Sequence, residues 1–163
     1  MPNLVIVPVG ADGSITFYNN TGSVHVVADL FGVFDDGSLP VADGQLTSIT
    51  PTRVLDTRVG LGAAAGLAQP AAPINLNLSS VLPPEATAVV MNMTVTEPTG
   101  AGFARIWSSD GDEPTTSSLN YVTNLTVPNL TIVPVALDGS VQVATSGHPA
   151  HLIADLLGWY GPA

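Results

Sequence analysis

The chain contains neither cysteine nor lysine. Without cysteine there is no disulfide frame and no thiolate metal site. Without lysine, three arginines face thirteen acidic residues, and the net charge is −10. Nucleic acid and anionic membrane surfaces both need a basic face, so neither is an expected partner. Charged residues of all kinds make up only 10 % of the chain, against roughly 25 % in an ordinary soluble domain. Much uncharged surface must therefore be covered by neighbouring units, by other chains, or by Thr, Ser and Asn. No apolar run reaches the roughly eighteen residues of a membrane-spanning helix. Met1 opens onto a strand-like segment with neither a basic n-region nor an h-region, so a signal peptide is not expected within this sequence. Serines are plentiful, but none stands in a Gly-x-Ser-x-Gly elbow, and an enzyme is not expected. Fourteen prolines and sixteen glycines leave little room for long helices.

What is present is a long repeat. Residues 2–34 and 128–160 align without a gap at an offset of 126, and fifteen of the thirty-three pairs are identical. Identical pairs include the Asp12-Gly13-Ser14 and Asp138-Gly139-Ser140 turns, His25/His151, Ala28-Asp29-Leu30 with Ala154-Asp155-Leu156, and Gly32/Gly158. A fixed long period marks a tandem array, here the tail of one unit followed by a complete one. The expected organisation is a three-strand meander over 1–34, a linker over 35–50, and a complete unit over 51–163.

Strand patterns dominate. β-branched and aromatic runs occupy Leu4–Val9, Ser14–Asn19 and Val24–Phe34, and recur at Leu130–Val135, Ser140–Thr145 and Ala150–Tyr160. Five more are predicted between them, at Arg53–Thr57, Ile74–Leu78, Ala88–Thr96, Gly102–Ser108 and Ser118–Val122. Alternation along Asn92-Met93-Thr94-Val95-Thr96 puts Met93 and Val95 on one face, as in a half-buried antiparallel strand. The window 61–72 is broken by Gly66 and Pro70 and reads as a loop with at most one helical turn. The predicted fold is all-β, an antiparallel sandwich or jelly-roll-like barrel with the extra meander.

Three segments carry a resemblance: PTRVLDTR at 51–58, VVMNMTVTEPTGAGFARIW at 89–107, and NLTIVPVALDGSVQV with HLIADLLGWY within 129–160. Together they resemble a repeat module of secreted and cell-surface proteins of actinobacteria. The resemblance implies export, tandem arrangement, and service as an accessory or surface module at an extracellular or cell-surface location. The chain departs from the pattern at Ala144–Pro149, where the first copy has a Tyr-Asn-Asn turn.

Charges inside apolar runs are the most informative chemistry. Period-two geometry groups Asp155 with His151, Ile153 and Leu157, and Asp29 with His25, Val27 and Phe31. A carboxylate there needs a partner. Arg53 or Arg58 is therefore expected to pair bidentately with Asp155 or Asp29, with Asp56 bonding local backbone N–H groups. The alternative, weaker expectation for these arginines is a ligand carboxylate or sugar. Phe103, Arg105 and Trp107 alternate onto one side of a strand and form the candidate carbohydrate face. Asp110, Asp112 and Glu113 are a weak Ca²⁺ candidate whose spacing does not match an EF-hand. No cofactor is expected. The leading expectation is a structural and interaction module that pairs with other copies of itself, as a homo-oligomer or filament. A lectin-like module binding a cell-surface glycan is the alternative.

Overall fold

A computed structural model of the chain describes residues 4–5, 7–30, 32–33 and 44–162. Within them lie eight strands and no helix: β1 (Gln45–Asp56), β2 (Ile74–Asn77), β3 (Ala88–Thr96), β4 (Gly102–Ser108), β5 (Leu119–Tyr121), β6 (Val127–Pro134), β7 (Ser140–Ser146) and β8 (His151–Gly161). They form two antiparallel four-stranded sheets, ordered β1-β8-β3-β6 and β2-β7-β4-β5, which pack against each other. The sheets are not closed on each other, so the fold is a sandwich and the barrel expectation is set aside.

Alternation explains the core. From β3, Val89, Met91, Met93 and Val95 point inward, joined by Leu152, Ala154 and Leu156 of β8. The opposing sheet supplies Leu76, Ala104, Ile106, Leu119, Val141 and Val143. Burying each large apolar side chain contributes roughly 1.5–3 kcal/mol before entropy is counted. Polar groups on the inner faces are paired: Asn129 Nδ2 donates to the Ser118 carbonyl at 2.7 Å, and Thr131 Oγ1 to the Met91 carbonyl at 3.1 Å.

Strand order corrects the expected meander in the complete copy. β6 and β8 lie in one sheet with β3 between them, whereas β7 lies in the other sheet between β2 and β4. The three consecutive strands thus share no ladder; the Asp138-Gly139 turn carries the chain from sheet to sheet. The meander expected over 1–34 is corrected as well, since no strand forms among its described residues. The places beside β1–β5 that correspond to this copy are already filled by β6–β8. Local chemistry nevertheless repeats in both copies. The Gly10 and Ala136 N–H groups donate to the carbonyls of Ser14 and Ser140 at 2.9 and 3.0 Å, and Gly13 and Gly139 take positive φ of 80° and 75°. Asp12 and Asp138 each accept the N–H of the serine two residues on, at 3.0 Å.

The linker expected over 35–50 is also shorter than read. Residues 45–48 pair with 158–161 and so form the first part of β1, while 35–43 fall outside the described residues. Pro51 sits at a register break between Ser48 and Thr52 on an edge strand, where its missing N–H costs no ladder bond. The window 61–72 contains isolated bridges and no helical turn.

Candidate functional site

The densest polar cluster gathers where β1 ends beside β8. Arg53 and Asp155 are ladder partners, and the guanidinium grips the carboxylate with two bonds, Nε to Oδ1 at 2.8 Å and NH2 to Oδ2 at 3.1 Å. A register shift between Arg53 and Leu55 inserts one extra residue into β1. In an unbulged strand, residues three apart face opposite sides; the bulge brings Asp56 within 3.3 Å of Arg53 NH1.

Asp56 is the hub of the turn that follows. Its carboxylate, only 4 % exposed, accepts Arg58 Nε at 2.9 Å, Arg58 NH2 at 2.7 Å and the Arg58 backbone N–H at 3.1 Å. Its carbonyl accepts the N–H groups of Val59, Gly60 and Leu61. The Arg58 guanidinium holds the Asp56 carboxyl far below the usual carboxylate range, against the opposing push of burial. Reciprocally, the bond to Asp56 raises Arg58, and the bond to Asp155 raises Arg53. Next in sequence, buried Thr57 shares a 3.0 Å hydrogen bond with His151 Nδ1 and accepts the Leu152 N–H at 3.0 Å.

Arg53, Asp56, Arg58 and Asp155 are therefore brought together, and Asp29 is not. Asp29 is exposed and forms no ion pair among the described residues. Its segment enters no sheet, and both guanidiniums already hold Asp155 and Asp56. The pairing is also less buried than expected. Asp155 lies on the outer face of its sheet, its side chain 25 % exposed and that of Arg53 43 %, because Leu152, Ala154 and Leu156 take the inner phase of β8. With donors and acceptors satisfying one another, the cluster acts as a brace across β1, its turn and β8.

On the second sheet, Phe103, Arg105 and Trp107 share the outer face of β4, opposite the inward Ala104 and Ile106. Arg105 is committed to protein partners: Glu113 Oε1 at 2.7 Å, Ser146 Oγ at 2.7 Å and the Pro114 carbonyl at 3.1 Å, with its guanidinium 5.0 Å from the Phe103 ring centroid. Trp107 lies opposite Gln142 in the ladder, and Gln142 opposite Asn75. The roles of Glu113, Ser146 and Thr57 are not visible in the sequence; the available signal is Arg105 itself, a lone charge among Phe103, Ala104, Ile106 and Trp107 that needs a partner from outside its strand.

The Ca²⁺ candidate is corrected. Glu113 faces Arg105, so a guanidinium cation rather than a metal ion meets its carboxylate, and Asp110 accepts the Ser108 hydroxyl. Among the described residues no three His, Asp or Glu side chains are grouped to hold a metal. No family model matches the chain, and no curated protein is significantly similar to it.

Proposed function

We propose that this chain is a non-catalytic structural and interaction repeat module of an exported bacterial protein, acting in spacing, display or assembly by packing unit against unit. One observation carries the reading: the partial repeat presents the side chains that its twin buries. Val7 is 48 % exposed where Val133 is 2 %, and Leu30 is 85 % exposed where Leu156 is fully buried. A run of uncovered apolar residues at this density marks a surface that is covered in the working assembly. The Arg53–Asp155 and Asp56–Arg58 pairs support the same direction, because their donors and acceptors are engaged with one another. A carbohydrate ligand on Phe103, Arg105 and Trp107 has less support, since Arg105 NH1 and NH2 are already engaged by Pro114, Ser146 and Glu113, and its remaining donor, Nε, is buried without a partner.

Light scattering across a concentration series tests the reading on the intact chain and on one lacking residues 1–34. The intact chain is expected to associate with rising concentration, more strongly at high salt as the −10 charge is screened. The shortened chain is expected to remain monomeric. Equal behaviour of the two removes the proposal.

A further inference from the structure

We infer that residues 4–33 are the β6–β7–β8 strand set of a second sandwich, and that their partner is the β1–β5 half of another unit of this same class. The inference rests on the interaction-module reading and names its partner. Three observations carry it.

The first is positional. At an offset of 126, Val7, Ile15, Phe17, Val26, Ala28 and Leu30 match Val133, Val141, Val143, Leu152, Ala154 and Leu156, all of which are buried in the core. The apolar phase of a strand survives only where a sheet face has to be covered, and the partial copy keeps it through all three strands.

The second concerns polar groups. His151 and Asp155 are the residues through which β8 engages Thr57 and Arg53. The partial copy keeps both, as His25 and Asp29. A segment that merely needed apolar cover would have no use for a histidine and an aspartate at these two positions. A β1 strand bearing the threonine and arginine of a PTRVLDTR-type segment supplies their partners.

The third is size. The half formed by residues 45–121 lies in sequence between two such strand sets, yet it is closed by the following one. In the preceding set Phe17 replaces the fully buried Val143, Val24 replaces the fully buried Ala150, and Val33 replaces Trp159. Bulk is added at Phe17 and Val24, where this core is already filled, and removed at Val26, which stands for the fully buried Leu152, and at Val33. Close-packed interiors penalise such redistribution, so the partial copy is shaped for a different half-sandwich with more room opposite Phe17 and Val24.

Placing a second copy of residues 45–126 directly ahead of Met1 in the full chain supplies a β1–β5 half in register, because Met1 matches Val127. Hydrogen exchange then reads each strand set separately. Segments 4–9, 14–19 and 24–33 are expected to slow to the rates of β6, β7 and β8, with a second unfolding transition that Asp29→Asn lowers and Asp155→Asn leaves in place. Because the supplied half is shaped for Val143 and Ala150, the same extended chain carrying Phe17→Val and Val24→Ala removes the misfit. If 4–33 exchanges freely in both forms, whether or not they aggregate, the inference is overturned. Light scattering on the unextended chain is scored separately. An extended chain that folds beside an unextended chain that stays monomeric keeps the strand pairing and removes the assembly reading; the opposite pair of results does the reverse.

Discussion

Residues 4–33 and 130–159 carry nearly the same message and meet different fates. Both make the Asp-Gly-Ser turn with the same hydrogen bonds and the same positive φ at glycine. Among the described residues only the second becomes strands. The turn is encoded within five residues, because an aspartate side chain and a glycine suffice to build it. The strands are encoded locally only as an apolar pattern, which becomes sheet where partner strands are present. β8 exists as a strand because β1 and β3 flank it, and β7 because β2 and β4 do. Duplicating a strand set without its partners duplicates the turn and leaves apolar side chains in water.

The largest test of this contrast substitutes matched leucines. Leu156 is fully buried in the core, so Leu156→Ala is expected to cost about 2–5 kcal/mol in urea unfolding. Leu30→Ala, at the matching but exposed position, is expected to fall within about 0.5 kcal/mol of the parent. Comparable losses at both positions would mean that the partial copy already belongs to the cooperative unit.

Much of the fold was legible because it rests on short-range patterning. Alternation along 92–96 located β3 and its inward face, and the two Asp-Gly turns were placed to the residue. The partner of Asp155 could be narrowed to Arg53 or Arg58, because a carboxylate inside HLIADLL needs a cation and the chain owns only three; the bulged register of β1 decides for Arg53. What stayed hidden was sheet membership. An Asp-Gly turn between two apolar runs looks the same whether it joins neighbours in one sheet or arches between two, so β6–β7–β8 read as a meander. The environment of Asp29 was misjudged for a related reason: sequence identity with Asp155 promised the same surroundings, but the surroundings are made by β1, which occurs once. The Glu113–Arg105 pair is likewise a product of β4 and its following loop folding together, and Glu113 sits among acidic neighbours that pointed toward a metal instead.

A second, smaller effect separates the copies by acid. Asp56 has its folded carboxyl held below the ordinary range by Arg58, so its contribution is complete above the unfolded carboxylate value of about 3.9 and is lost as pH falls from there toward the folded value. Thermal melts should therefore decline on acidification below about pH 4. Asp56→Asn should melt lower than the parent at neutral pH, decline less steeply, and approach it in acid. Asp12 also has a lowered carboxyl, through its hydrogen bonds to Ser14. It belongs to the turn outside the sheets, so Asp12→Asn should leave the acid profile of the sandwich unmoved. Parallel melting profiles for the parent and Asp56→Asn from neutral pH down to pH 2 would refute the assignment of this acid sensitivity to Asp56.

The smallest effect is the most discriminating for the brace. Arg53 and Asp155 form a two-bond pair, yet both side chains keep solvent contact, and exposed pairs contribute only about 0–1 kcal/mol. Asp155→Asn should lower stability by an amount in that range, and added salt should narrow the gap to the parent. Asp29→Asn should do nothing measurable in the unextended chain, since Asp29 meets no arginine there. A double substitution, Arg53→Ala with Asp155→Asn, isolates the coupling from the lost packing of the arginine stem. A coupling energy indistinguishable from zero would leave Asp56, with its buried carboxylate and three bonds to Arg58, as the sole electrostatic anchor of the β1 turn.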